Sequence, residues 1–459
     1  MSAQFFFECL NLIKKTTLYQ SKVKIFNDPV YGFVRVPCGL LLDLIEHRYF
    51  QRLRRIGQNS LVHYIYPGAL HTRFHHALGA LHLMTQAIAV LRSKGVEITS
   101  AEEEGAQAAI LLHDIGHGPF SHTLEHTIIA AHHEDLSDWL MRALNEEFDG
   151  KLDLAIQIFE NRYPKHFLYQ LISGQLDLDR MDYISRDAYF TGVAEGVIGH
   201  DRLISMLAVA NGELVVEEKA IYSLERFLTA RRLMYWQVYL HKTAISAEQM
   251  LIRAFERAKM LKKQSDTGGG AFSEKIEAFG ALNYFLHHSF SLISETTENN
   301  ENNENNDSEK ARIWESNKAN IKEMLGYFVK LDDVDVMASL KMWSDSPDFV
   351  LSYLSKNLLE RNLFRVELEK KSIGRERVRE IEKRTLSYFQ SLDKSIKKSD
   401  LRFLMVRGVE KNLVYNLKKE EINLLFKDGK VGKMSESVDI SLHSENICKY
   451  FIGYSKRIF

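Results

Sequence analysis

LLHDIGHGPFSH, residues 111 to 122, packs three histidines and an aspartate around a Gly118-Pro119 break. Upstream, Ala101 to His113 spaces apolar residues three and four apart, the helical period, so His113 and Asp114 lie at a helix end. Adjacent helical residues diverge by about 100°, which lets both side chains address one ion along their shared edge. His117 falls one turn after His113 on the same face, and His122 is presented just beyond the break. A lone His-Asp pair is ordinary at a helix terminus, and an aspartate is ordinary at an N-cap. Three imidazoles in so short a stretch serve chemistry better than folding.

Working outward, eleven of the 18 histidines lie between His63 and His133. His63, His71, His82 and His126 read as core residues. His76 in RFHHALG, the His113-Asp114 pair and Asp179 in LDLDRMDY supply two imidazole nitrogens and two carboxylate oxygens. That mixed donor set, without thiolate, suits iron(II), manganese or zinc in a site with open positions for water and substrate.

The rest of the chain bounds the frame for this cluster. Its 459 residues carry 60 Lys+Arg against 61 Asp+Glu, and 45% are hydrophobic, so a large core is expected and a generally basic nucleic-acid surface is disfavoured. The three cysteines, Cys9, Cys38 and Cys448, are too scattered for a disulfide framework or a metal knuckle, which fits a reducing, cytoplasmic setting. No uninterrupted apolar run approaches a membrane span, and the Phe5-Phe6-Phe7 patch lacks a basic lead-in for export. Five of the six prolines fall in the first 164 residues, leaving long helices open downstream.

Helical periodicity recurs over residues 152–159, 221–242 and 244–262, so the fold class expected is mostly α. Residues 295–308, ETTENNENNENNDS, offer nothing apolar to bury and read as a disordered insertion. Beyond it, 317–328, 346–361 and 374–389 read as helices, while 362–367, 401–406, 413–416 and 422–426 read as short strands, with Lys427-Asp428-Gly429-Lys430 as a hairpin turn. The expected layout is a leader over 1–20, a helical core over 21–290, the insertion over 291–310 and a C-terminal α+β lobe over 311–459.

At these motifs the chain resembles the HD-domain phosphohydrolases, specifically their deoxynucleoside triphosphate triphosphohydrolase branch. The resemblance runs in order through KIFNDPVYGFV (24–34), FQRLRRIGQ (50–58), YPGALHTRFHHALG (66–79), the HD stretch, HHED (132–135), DLDRMDYISRD (177–187) and RRLMYWQVYLHK (231–242). It implies a helical HD core in which His76, His113, Asp114 and Asp179 hold the metal. The activity it implies is attack of water on the α-phosphorus of a dNTP, releasing deoxynucleoside and intact triphosphate, with magnesium travelling on the triphosphate.

His122 matches the family histidine that serves the leaving 5′ oxygen, and His117 and His133 match histidines beside the phosphates. Arg73, Arg180 and Arg231 match triphosphate-binding positions; a guanidinium fork suits phosphate oxygens. Tyr183 and Tyr239 match aromatic positions against phosphate, sugar and base, and Gln58 and Asp187 match groups that bond the 3′-hydroxyl. Asn59 departs from the apolar residue expected near the sugar 2′ carbon. Lys24, Asn27, Gln51 and Arg54, with Glu46 in place of an aspartate, match an activating-nucleotide pocket between subunits of a dimer or tetramer. Other readings of the sequence are a different nucleotide phosphoester as substrate, or a nucleotide-sensing or ssDNA-binding assembly using patches such as Lys370-Lys371 and Lys397-Lys398.

Overall fold

The computed structural model describes residues 22–266, 276–288, 306–412, 421–437 and 447–459. The leader over 1–20, residues 291–305 of the expected insertion and the expected strand at 413–416 lie outside them. A hairpin of β1 (Val23–Asp28) and β2 (Gly32–Pro37) opens the described chain; Asp28 accepts the Val30 and Tyr31 amides at 2.9 and 3.0 Å, which closes the turn. Six longer helices follow: α1 (Arg73–Ser93), α2 (Ser100–Leu112), α3 (His133–Glu147), α4 (Leu178–Thr191), α5 (Ile221–Met234) and α6 (Lys242–Asp266).

Their ends follow from local chemistry. Thr99 and Glu102 form a capping box that starts α2. Asp177 accepts the Arg180 amide at the start of α4, and Gly192, at φ 74°, ends that helix in the left-handed region. Helix α1 buries residues around most of its circumference, from Phe74 through Leu91, so it is the axis of the core. By length and composition alone it would also pass as a membrane span, but 67% of its most apolar window is buried inside the fold.

The C-terminal part adds α7 (Asn306–Phe328, broken at Asn317), α8 (Asp333–Trp343), α9 (Phe349–Leu359) and α10 (Arg375–Leu392). Strands β5 (Arg365–Glu369), β6 (Met405–Asn412) and β9 (Ile447–Tyr454) form an antiparallel sheet in the order β5-β9-β6. A second sheet joins the two parts of the chain. The hairpin β3 (Leu207–Ala210) and β4 (Glu213–Glu217) gains β7 (Asn423–Leu425) in parallel, and β8 (Val431–Lys433) completes it. One buried hydrophobic cluster runs from Val34 to Phe451.

Four sequence expectations change in detail. Helix α7 begins at Asn306, inside the expected disordered insertion. Residues Leu401–Leu404 make a helical turn and the strand starts only at Met405, because a short apolar run satisfies either period until packing chooses. The hairpins β1–β2 and β3–β4 interrupt a region expected to be helical. The helix expected over 221–242 breaks at Met234 into a π-helical segment, Tyr235–Tyr239, in which the Leu240 amide reaches back to the Tyr235 carbonyl at 2.8 Å.

Candidate active site

Three elements bring the four expected metal ligands together. His76 lies in the first turn of α1, His113 caps the C-terminus of α2 with Asp114 following it, and Asp179 lies in the first turn of α4. His76 Nε2 is 3.0 Å from Asp179 Oδ1 and 3.6 Å from Asp114 Oδ2; His113 Nε2 is 3.4 Å from Asp179 Oδ1 and 3.3 Å from Asp114 Oδ1. Both Nε2 atoms are buried without a well-formed hydrogen bond. Two bare imidazole nitrogens and two carboxylates converging on one point are the donor set of a divalent metal, so these residues fit such an ion.

The opposite nitrogens are committed. His76 Nδ1 is 2.7 Å from Asp182 Oδ2, and His113 Nδ1 donates to the Ile110 carbonyl at 2.7 Å. Each bond fixes the ring and leaves Nε2 to face the centre. Asp182 is held in turn by Arg186, which also pairs with Asp28 at 2.7 Å, so the β1–β2 hairpin supports the ligand cluster from behind. Gly79 makes room for this layer: a Cβ there would come within 1.9 Å of Asp182 Oδ1. Asp182 was not singled out in sequence, although it follows Asp179 by one turn on the same helix.

Electrostatics agree with a cation-seeking centre. Burial opposes charge on His76, yet Asp179 and Asp182 outweigh it and push its pKa up to about 10. Burial also opposes charge on His113, where Asp114 and Asp179 win and raise it. Asp114 is held well below the usual carboxylate range against its burial by His113, Arg73 and His117.

Beside this cluster opens a cavity of about 630 Å³ lined by Asp114, Asp179, His117, His122 and His133 together with Gln58, Arg73, Tyr183, Asp187 and Tyr239. The imidazoles of His117 and His133 stack at 4.0 Å between centroids, and His122 meets both edge-on at 4.9 and 5.0 Å. Glu125, which sequence reading missed, orients two of them. Its carboxylate lies 3.0 Å from His122 Nδ1 and 2.7 Å from His133 Nδ1. His133 is thereby raised despite burial, whereas burial and the charge of Arg73 drive His117 well below the ordinary imidazole value. The two stacked imidazoles are thus pushed in opposite directions, His133 toward holding a proton and His117 toward the neutral form.

Arg73 forms a close ion pair with Asp114 and donates through Nε to Ser121 Oγ at 2.9 Å. Asp187 is buried between His71 Nε2 at 2.6 Å and the Tyr239 hydroxyl at 2.5 Å, with His71 stacked on Phe190. The π segment places both Tyr235 and Tyr239 on the cavity wall. Gln58 Oε1 and Asn59 Nδ2 are buried there without a hydrogen-bond partner among the described residues. Glu248 of α6 also lines the cavity; burial, then Glu410, pushes its pKa up to about 8, so at neutral pH it is largely a protonated acid beside Ser60 and Thr123.

Some expected residues stand apart. Arg180 bonds Asp177 and the Gly174 carbonyl and does not line the cavity. Arg231 also lies outside the lining, with Nε and Nη1 buried and unbonded among the described residues. The candidate regulatory residues sit elsewhere on the surface: Lys24 and Asn27 are exposed on β1, Glu46 is exposed, and Gln51 and Arg54 bond each other at 2.8 Å with Arg54 over the Phe74 ring. His126, expected in the core, is exposed. Arg52, between Gln51 and Arg54 in sequence, is fully buried and donates to the Leu331 and Ile115 carbonyls at 3.3 and 2.7 Å.

Comparison with known proteins follows the same outline. The HD domain family model matches residues 73–187, and the HD associated region matches 198–268. An uncharacterised protein of Bacillus subtilis is 31% identical over 351 residues, 75% of this chain and 72% of its own length. A deoxynucleoside triphosphate triphosphohydrolase SAMHD1 homologue of Dictyostelium discoideum is 32% identical over 53% of this chain, which spans only 51% of that relative. The crystal structure of a phosphohydrolase from Bacteroides thetaiotaomicron superposes with a TM-score of 0.81 at 44% identity, covering 95% of this chain and 100% of that one.

Proposed function

The chain belongs to the HD-domain family of dNTPase-like phosphohydrolases, and on that premise we propose that it hydrolyses deoxynucleoside triphosphates at the α-phosphorus, releasing deoxynucleoside and intact triphosphate. The observation carrying this reading is the convergence of His76, His113 and Asp114, with Asp179 at 3.0 and 3.4 Å from the two imidazoles, beside a cavity that also holds three imidazoles and Arg73. A divalent ion bound by those four residues supplies Lewis acidity toward phosphoryl oxygen and lowers the pKa of water. Iron, manganese or zinc suits the donor set.

The remaining roles are proton and charge management by this chain's own groups. Arg73 and His133, whose hold on a proton Glu125 strengthens, face the phosphates and offset charge building on their oxygens. His122 has Nδ1 tied to Glu125, so its Nε2 is free to give a proton to the departing 5′ oxygen. Gln58 and the Tyr239–Asp187 pair bind the sugar 3′-hydroxyl, and Tyr183 packs against the sugar and base. Arg180 and Arg231 reach the triphosphate only after their side chains turn inward. The surface group Lys24, Asn27, Glu46, Gln51 and Arg54 takes an activating nucleotide at a contact between subunits.

The deciding experiment separates the products formed by metal-loaded protein from each dNTP alone and from all four mixed. Deoxynucleoside with triphosphate is expected, and activity only in the mixture would show activation by a second nucleotide. Pyrophosphate, or no turnover with any metal, would overturn the assignment.

A further inference from the structure

Helix α8 begins with two consecutive aspartates that do different work. Asp332 is the N-cap: its side chain accepts the Val334 amide at 3.0 Å, and Asp335 returns the bond to the Asp332 amide at 3.0 Å. Asp333 is thus not needed by its own helix. Its two carboxylate oxygens reach into the HD core instead, where Oδ2 accepts the Gly57 amide at 2.8 Å and Oδ1 the Phe120 amide at 2.9 Å.

Those amides head the two loops that form the cavity wall. Gly57 immediately precedes Gln58, and Phe120 precedes Ser121 and His122. Phe120 and Ser121 adopt φ of 54° and 49°, a left-handed pair without glycine that persists only where surroundings hold it. Asp333 holds the first through its amide, and Arg73 holds the second through the Ser121 hydroxyl. The segment carrying Asp333 is itself fastened by the Arg55–Asp332 ion pair and by Arg52, which bonds the Leu331 carbonyl and lies over the Phe328 ring at 4.5 Å. Asp333 does not line the cavity.

We propose that Asp333 is a positioning residue: one carboxylate from the C-terminal lobe sets the Gln58 loop and the His122 loop in register across the active site. The two loops are also linked by Ser121 Oγ, which reaches the Gly57 carbonyl at 3.3 Å, by the Ser60–Thr123 hydroxyl pair at 2.9 Å and by Arg73, which bonds Ile56 through its amide and Ser121 through Nε, but among these Asp333 alone comes from the C-terminal lobe. The proposal takes the cavity as the active site, as in the reading above, but it does not depend on the substrate.

The test compares wild-type protein with Asp333→Asn, which keeps one acceptor oxygen and turns an N–H toward the other amide. Hydrogen exchange is followed in peptides spanning 57–60 and 120–123, alongside metal content, thermal midpoint and steady-state kinetics on whichever dNTP the wild type turns over. Exchange at one or both loops should quicken by roughly tenfold, and kcat should fall by about the same factor, with KM and metal content little changed. Asp348→Asn serves as the control: Asp348 is a buried partner of Arg257 in the same lobe, and its loss should lower the thermal midpoint without opening either loop.

Unchanged loop exchange with wild-type kcat would overturn the proposal, as would an equal loss of kcat in Asp348→Asn. Should Asp333→Asn fail to fold, exchange of the Gly57 and Phe120 amides in the wild type decides: protection near that of α1 supports the clamp, and rapid exchange refutes it. If the wild type hydrolyses no dNTP, the functional assignment falls while the exchange result still judges Asp333.

Discussion

Two groups of histidines lie beside one cavity, His76 and His113 behind its wall and His117, His122 and His133 on it, and both are held by the same device. In the first, His76 and His113 have Nδ1 bonded to Asp182 and to a backbone carbonyl, and their bare Nε2 atoms converge on Asp114 and Asp179. In the second, His122 and His133 have Nδ1 turned to the single carboxylate of Glu125. What separates them is access to water and the number of carboxylates in front. The side chain of His76 is completely buried between acids, whereas that of His122 is 67% exposed. Nitrogens that are buried, fixed and faced by two carboxylates are suited to hold a metal ion. Nitrogens that are fixed from behind but wet in front are suited to pass protons.

The sharpest way to break the comparison is to remove a ligand. His113→Ala or Asp179→Ala should lose bound metal and depress turnover by at least about a hundredfold while the protein stays folded, as read by elemental analysis beside rate and circular dichroism. Retained activity in a metal-free variant would erase the distinction. Glu125→Ala attacks the other group: kcat should drop by roughly ten- to a hundredfold with metal content intact, because His122 and His133 lose their common anchor. Asp182→Asn should weaken metal affinity about tenfold or more, measured by competition with a chelator, since His76 loses the acceptor that fixes its ring.

Acidity sharpens the same contrast. In metal-free protein the folded-state pKa of His76 is raised to about 10 and that of His113 is raised as well, so an incoming ion must displace protons. Apparent metal affinity should therefore climb with pH from about 6 upward, by up to about tenfold per unit for each proton released. The metal-free fold gains from protonated His76 below the ordinary imidazole value and loses that support as pH rises toward 10. The smallest expected effect is at Glu248. Because burial keeps its carboxyl largely protonated at neutral pH, Glu248→Gln should change the rate by less than about threefold at pH 7 and flatten any dependence near pH 8.

The clustering of His76, His113, Asp114 and Asp179 was legible in the sequence because imidazoles and carboxylates are rare in apolar helices and their spacing survives without knowledge of the fold. The residues standing behind them were not. Asp182 and Glu125 look like ordinary helix carboxylates until α4 crosses α1 at Gly79 and the loop after His122 folds back. Arg52 is the complementary case: it stands in a short run of three arginines, and only tertiary packing against Leu331 and Phe328 makes it interior. Secondary structure followed the same rule. The proline-free helices α6 and α10 declare themselves by periodicity, whereas the β3–β4 hairpin owes its place to pairing with β7 more than 200 residues later.

The π-helical turn at Tyr235–Tyr239 is a place where the chain carries spare length. Such a turn is an α-helix carrying one residue more than its hydrogen bonds require, here with Tyr235 and Tyr239 both on the cavity wall. Removing one residue between the two tyrosines would let the helix close normally with its flanks still in phase, leaving Tyr239 about where its hydroxyl meets Asp187. A single-codon deletion here should cost less than one in the regular turns of α5 or α6, where every later side chain would turn by about 100°.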